Sequence, residues 1–284
     1  MKKLKLLFVF IVLLCLTGCF KESSMDDINI LTSAYPIEYV VNYLYGTHST
    51  INSIYPKDDD INTFKVTNAL LDQYVDNELF IFNGLTDEKK SLKYINKKNK
   101  NLKIIDVTSN MNYEYKKEEL WLDPNNLLTI ANNIRKGFKE YINSKYLTNE
   151  IDENYNNLKI NLTSLDGTYF STVKNASNTT IVVNDDCFKV LEKYGITVIS
   201  IDPDTASNKT IEEAKDLIKS GTCNYLFIKY KDNDDNIDSF ITETNAKKLE
   251  LYAFNNLNGV NTEKNDYITL MNQNLENLKL ELYK

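Results

Sequence analysis

The 284-residue chain has one histidine, four cysteines, four prolines and eight glycines. With His48 as its only imidazole, no serine or cysteine nucleophile can be paired with a base in a credible triad, and the chain is read as no enzyme. There is no glycine-rich phosphate loop and no sign of an organic cofactor. The longest apolar run, Leu6 to Leu16, is too short to cross a bilayer as a helix, which takes about 20 residues. Positive charge is in deficit: 33 Lys and Arg stand against 40 Asp and Glu, for a net charge of −7. An acidic body argues against nucleic acid or an anionic membrane surface as a partner and suits a cationic ligand.

The first residues do carry an address. Lys2, Lys3 and Lys5 precede the apolar run, and Thr17, Gly18 and Cys19 follow it, the layout of a secretory signal. Leu16-Thr17-Gly18-Cys19 resembles a bacterial lipobox, which implies removal of residues 1–18 and a diacylglyceryl tether on Cys19; an ordinary signal peptide with a chance cysteine is the other reading. Two acyl chains hold a protein to a membrane where one does not. The expected location is the extracytoplasmic face of the cell membrane, with residues 19–27 as a spacer. Losing Lys2, Lys3 and Lys5 with the leader takes the net charge from −7 to −10. Cys187 and Cys223 then remain. They fall at opposite ends of two expected parallel strands, a strand's length apart, so both are expected to be free and buried.

Strand and helix signals alternate along the rest of the chain. Strands are expected at Ile28–Thr32, Ile51–Tyr55, Leu79–Phe82 and Leu102–Val107, with helices between them and a long one opening at Pro124. After residue 176 the strands are Thr180–Val183, Ile196–Ile201, Tyr225–Lys229 and Leu249–Phe254. Between the halves, Ile151, Tyr155, Leu158, Leu162, Leu165 and Tyr169 are spaced 4, 3, 4, 3, 4, one apolar stripe along about seven helical turns. Alternating β and α implies parallel sheets covered on both faces. The expected fold is therefore α/β: two parallel-sheet lobes, 28–146 and 176–284, joined by one long connecting helix at 147–175. A coiled-coil dimer along the stripe is the alternative to a monomer. Ligands of such sheets bind beyond the carboxyl ends of the strands.

Asn83-Gly84-Leu85 at a strand end, Trp121-Leu122-Asp123-Pro124 opening a helix, Val183 to Lys189 with Tyr194-Gly195, and Asp266-Tyr267 with Leu270-Met271, Asn274-Leu275 and Leu278 come in a fixed order around the long connector. Together they resemble the cluster A-I metal-binding lipoproteins, the zinc or manganese receptors of ABC importers. The resemblance implies capture of a metal ion between the lobes and docking on a membrane permease. The positions matching the family's ligands are Asn62, Glu119, Asp185 and Asn255, where histidines would be usual at several. No tetrahedral nitrogen or sulfur site can be built from them. Two carboxylates and two amide carbonyls form an oxygen set suited to manganese or calcium rather than zinc. Lys229, at a strand end where zinc-binding members often place an acid, would repel a cation or bind an anion. Three functions stay open: a divalent-cation receptor, a metal-free surface adhesin on the same fold, and a receptor for a larger haem- or siderophore-like ligand.

Other features have plainer readings. Asp232, Asp234, Asn236, Asp238 and Glu243 match EF-hand offsets, but Ile237 takes the place of the required glycine, so a solvated helix start with capping acids is expected there. Asp58-Asp59-Asp60 could form a cation-collecting lip beside Asn62. His48 is read as a surface residue.

Overall fold

The short apolar runs Ile28–Thr32 and Leu79–Phe82 have the composition of strands buried on both faces. In a computed structural model they lie at the centre of a parallel sheet. The structure describes residues 25–113 and 116–284, so the leader, the Cys19 attachment site and most of the expected spacer lie outside the described residues. β1 (Ile28–Thr32), β2 (Ser49–Ser53), β3 (Leu79–Phe82) and β4 (Lys103–Asp106) pair in the order β2-β1-β3-β4. The second half repeats the plan: β5 (Thr180–Val183), β6 (Thr197–Ser200), β7 (Tyr225–Lys229) and β8 (Lys247–Leu251) pair in the order β6-β5-β7-β8. Every pairing is parallel. This is the two-lobe α/β fold. In each lobe the chain runs outward from a central strand and then jumps back across it. That reversal opens a crevice at the carboxyl ends of β1 and β3 and of β5 and β7.

The helices are α1 (Tyr35–Tyr45), α2 (Asn68–Asp72), α3 (Glu88–Lys98), α4 (Pro124–Tyr141), α5 (Lys145–Lys174), α6 (Asn208–Lys219), α7 (Asp235–Thr244) and α8 (Tyr267–Leu282). Their starts are written in the sequence. Asp123, Ser144, Ser207, Asp234 and Asp266 each accept a hydrogen bond from a backbone N–H in the first turn, which satisfies a donor the helix cannot. Gly195 and Gly221 follow the helical segments before them with φ of 93° and 76°, a conformation that disfavours any residue with a Cβ.

α5 is the connector, 30 residues long, or about 45 Å at 1.5 Å per residue. Ile151, Leu158, Leu162, Leu165 and Tyr169 are buried within the fold. The stripe therefore packs on the chain's own lobes, and no coiled-coil partner is needed to cover it. Those residues belong to one hydrophobic cluster that also holds Ile30 and Ile81 of the first sheet and Ile181 and Phe227 of the second. The lobes thus share a core. Cys187 and Cys223 are both buried and free, as expected. Among the described residues, no helix is long and apolar enough to cross a membrane.

Several expectations shift. Met25, counted as spacer, is 1% exposed, and its carbonyl accepts a 2.5 Å hydrogen bond from the Tyr45 hydroxyl. His48 is no free surface residue: its ring stands 3.0 Å from Asp26 Oδ1 and 3.2 Å from Glu150, tying the chain entry to the connector. The helix expected between the second and third strands is short, Asn68–Asp72. The strand expected at Leu249–Phe254 is Lys247–Leu251, and beyond its end Phe254 adopts a left-handed φ of 67°. Of the EF-hand-like acids, Asp234 caps α7 by accepting from Asn236 N, while Asp232 accepts from Asn184 and Glu243 pairs with Lys215.

Candidate metal site between the lobes

The four positions expected as ligands all stand beyond strand ends. Asn62 lies in the loop after β2, and Asn255 follows β8. Asp185, just past β5, caps a 3-10 turn over Asp186–Tyr194 by accepting from Cys187 N at 2.8 Å. Glu119 sits at the start of the 3-10 turn Leu120–Leu122 that leads into α4. Beneath it Trp121 crosses the seam: its indole N–H donates to Ala253 O at 3.0 Å, and Tyr267 donates to the Trp121 carbonyl at 2.7 Å.

Three of the four are linked in one polar chain. Asn62 Nδ2 donates to Glu119 Oε1 at 2.9 Å. The Lys229 ammonium touches both carboxylates, 3.1 Å from Glu119 Oε1 and 2.7 Å from Asp185 Oδ2. Asn255 stands to one side. Its amide donates to Asp60 Oδ2 at 3.0 Å, and Asp60 Oδ1 accepts from Asn62 N at 2.8 Å. Asp60 therefore joins Asn255 to the others. A second ammonium, Lys116, reaches Asp185 Oδ2 at 3.0 Å and Asp202 Oδ2 at 2.7 Å. Glu119 and Lys116 come from the first lobe, Asp185, Asp202 and Lys229 from the second, so these pairs bridge the lobes. The sequence reading missed Lys116 and Asp202. Asp202 carries a weak signal, being polar just past β6; Lys116 carries none.

Burial works against every charge here, and the partners decide the outcome. Burial would lift the Asp185 carboxyl, yet Lys229, the Cys187 backbone N–H and Lys116 hold it below the usual carboxylate range. For Glu119 burial wins, and its pKa lies above the usual range despite Lys229 and Asn62. Burial opposes the Lys229 charge too, but Glu119 and Asp185 outweigh it and the ammonium is held firmly protonated. Asp185 is thus the firm anion and Glu119 the softer one.

The donor set does not yet make a metal site. Among the described residues no three His, Cys, Asp or Glu side chains group so as to hold an ion. Two acceptors at the seam are nevertheless left over: Glu119 Oε2 and Asn255 Oδ1 are buried and receive no hydrogen bond. Unpaired buried acceptors are uncommon and call for a partner. Glu119 lines a cavity of about 780 Å³ whose walls also include Tyr55, Asn83, Glu88, Lys116 and Lys229, while Asn255 lines a separate small pocket with Tyr35 and Phe254. Glu88, one of the residues lining the larger cavity, is buried and accepts from Asn83 N at 2.7 Å.

Solved structures share this architecture at low identity. Zn(II)-bound AdcA from Streptococcus pneumoniae matches with a TM-score of 0.75 and 18% identity over 91% of this chain, which spans 58% of the AdcA chain. A Mn-bound periplasmic metal-binding protein from Candidatus Liberibacter asiaticus matches at 0.75 and 19%, over 90% of this chain and 100% of that one. The laminin-binding protein Lbp of Streptococcus pyogenes matches at 0.73 and 19%, over 90% and 99%. No curated protein matches by sequence. Residues 30–280, nearly the whole described body, match the family described as zinc-uptake complex component A, periplasmic. The chain belongs to this ZnuA family of metal-importer solute-binding proteins.

Proposed function

We propose that this chain is the extracytoplasmic solute-binding component of an ABC importer, tethered at Cys19, whose solute is a hard divalent cation captured between the lobes and passed to a permease. Asn62, Glu119, Asp185 and Asn255 are the proposed donors. All four would bind through oxygen, which suits manganese better than zinc. Two of the solved structures named above carry a metal, zinc in AdcA and manganese in the Candidatus Liberibacter asiaticus protein, and calcium drops out of the proposal. The observation that carries the reading is the pair of buried, unpartnered oxygens, Glu119 Oε2 and Asn255 Oδ1, on two of the four proposed ligands. A second reading, a larger polar solute, is favoured by the cavity of about 780 Å³, which exceeds the needs of an ion and falls in the size range of small-molecule sites.

Thermal unfolding of the mature chain, made soluble by Cys19→Ser, tests the metal. A ligand at a hundred times its Kd stabilises by about 2.7 kcal/mol. Millimolar Mn2+ is expected to raise Tm saturably, Zn2+ less so, and Glu119→Ala to abolish the Mn2+ effect. Absence of any saturable Mn2+ response, in the wild type and in the Lys229 variant described below, would leave the larger solute as the surviving reading.

A further inference from the structure

The cleft already contains a cation, and it is part of the chain. Lys229 is the last residue of β7 and is 6% exposed. Its backbone is pinned on both sides, Lys229 N donating to Asn184 Oδ1 at 3.1 Å and Asp232 N donating to Lys229 O at 3.0 Å. Asp185 and Lys229 follow or end the central strands β5 and β7, so they flank the crevice where the strand order reverses. From there the ammonium lies against one oxygen of each carboxylate.

The Lys229 ammonium and a divalent ion cannot occupy one point between Glu119 and Asp185, whereas Lys116 meets Asp185 Oδ2 from another side and leaves that oxygen a second lone pair. A divalent ion needs its donors at about 2.0–2.6 Å. It would then lie within a few ångströms of a like charge in a buried site, where repulsion is strong. The two cations differ in reach. An ammonium offers three donors at one point, whereas a hard divalent ion gathers six or more oxygens. Lys229 serves Glu119 Oε1 and Asp185 Oδ2 and leaves Glu119 Oε2 without a partner, an oxygen that an ion with more coordination positions could take up. Lys229 also lines the cavity, which gives its side chain room to withdraw.

We propose that Lys229 is the specificity-determining residue of this cleft, a tethered counter-cation in the place a divalent ion would take, so that ion binding is a competition with the chain's own side chain. This rests on the reading of the cleft as a divalent-cation site. The competition makes the wild type a weak binder and holds the lobes together through Glu119 when no solute is present.

Titration of Mn2+, followed by loss of the free-ion electron paramagnetic resonance signal, tests it. The fraction of chains with Lys229 withdrawn scales the apparent affinity, and a buried ion pair is hard to break. Lys229→Met is therefore expected to bind one Mn2+ about a hundredfold or more tighter than wild type. Lys229→Met with Asp185→Asn, which restores the charge balance but removes a ligand, is expected to bind no tighter than wild type. Should Lys229→Met fail to fold alone, its refolding yield is expected to recover with Mn2+ present and not with added NaCl. Equal Mn2+ affinity in wild type and Lys229→Met would overturn the inference and leave the metal receptor standing. No Mn2+ binding by either, with both folded, would overturn both.

Discussion

Trp121 is the only tryptophan of the chain, and it lies across the seam. It is 1% exposed, its N–H is spent on Ala253 O of the second lobe, and its carbonyl is held by Tyr267. Removing a buried tryptophan costs about 3–5 kcal/mol when replaced by alanine. For a body of this size, where 1 kcal/mol is about 2–4 °C, Trp121→Ala should lower Tm by roughly 10 °C. Trp121→Phe keeps most of the apolar volume and strips the donor, leaving the Ala253 carbonyl unpaired for about 1–3 kcal/mol. The assay is urea unfolding followed by far-UV circular dichroism, with wild-type indole emission as a second probe. Because the lobes share one core, the wild type should unfold in a single transition by both probes. Loss of the rivet should then either steepen the loss of stability or split the transition into two. A Trp121→Ala protein that loses less than about 1 kcal/mol at an unchanged denaturant slope would refute the idea that this ring couples the lobes.

Other perturbations follow from single residues. Burial raises the Glu88 carboxyl to about 7, so its share of stability is complete below the ordinary carboxyl pKa of about 4.3 and is lost as pH rises through 7; Glu88→Gln should flatten the stability profile between those limits in denaturation measured at several pH values. Gly167 lies inside α5, and a Cβ added there would meet nothing within 4 Å, so Gly167→Ala should stabilise by about 0.5–1 kcal/mol, read as a higher Tm. Gly84 is the opposite case, since a Cβ there would come 2.0 Å from Asp106 Oδ2; Gly84→Ala should destabilise by about 1–3 kcal/mol in the same assay. Metabolic labelling with a fatty acid should mark the wild type and not Cys19→Ser, and equal labelling of both would remove the lipid tether.

The fold was legible wherever burial imposes a period. The 4-3-4-3-4 stripe of α5 and the short apolar runs of β1, β3, β5 and β7 report their environments directly, because water is excluded from one stripe of a helix and from both faces of a central parallel strand. Edge elements were blurred. β2 is Ser-Thr-Ile-Asn-Ser and β8 begins Lys247-Lys248, polar residues that suit strands at a sheet margin and hide their boundaries from an apolar pattern. Periodicity could not show that residues 186–194 wind as a 3-10 turn. At the cleft, strand ends pointed to Asp185 and raised the question of Lys229. They could not reveal the bridge from Lys116 to Asp202, far apart in the chain, since a lysine's partner is fixed by tertiary approach and not by local pattern.

The buried start of the described chain sets how the molecule would be presented. Met25 enters the core beside Tyr45, just ahead of the amino end of β1. In a parallel sheet that end faces away from the carboxyl ends where Asn62 and Glu119 lie. If Cys19 carries the proposed lipid, the six residue steps from it to Met25 form a leash that can span at most about 20 Å. A body moored so closely by its back would turn its cleft outward, toward incoming solute, and would have to roll over on that leash to face a permease in the same membrane. Loading and unloading would then be separated by orientation, with the tether length deciding how far the body can turn.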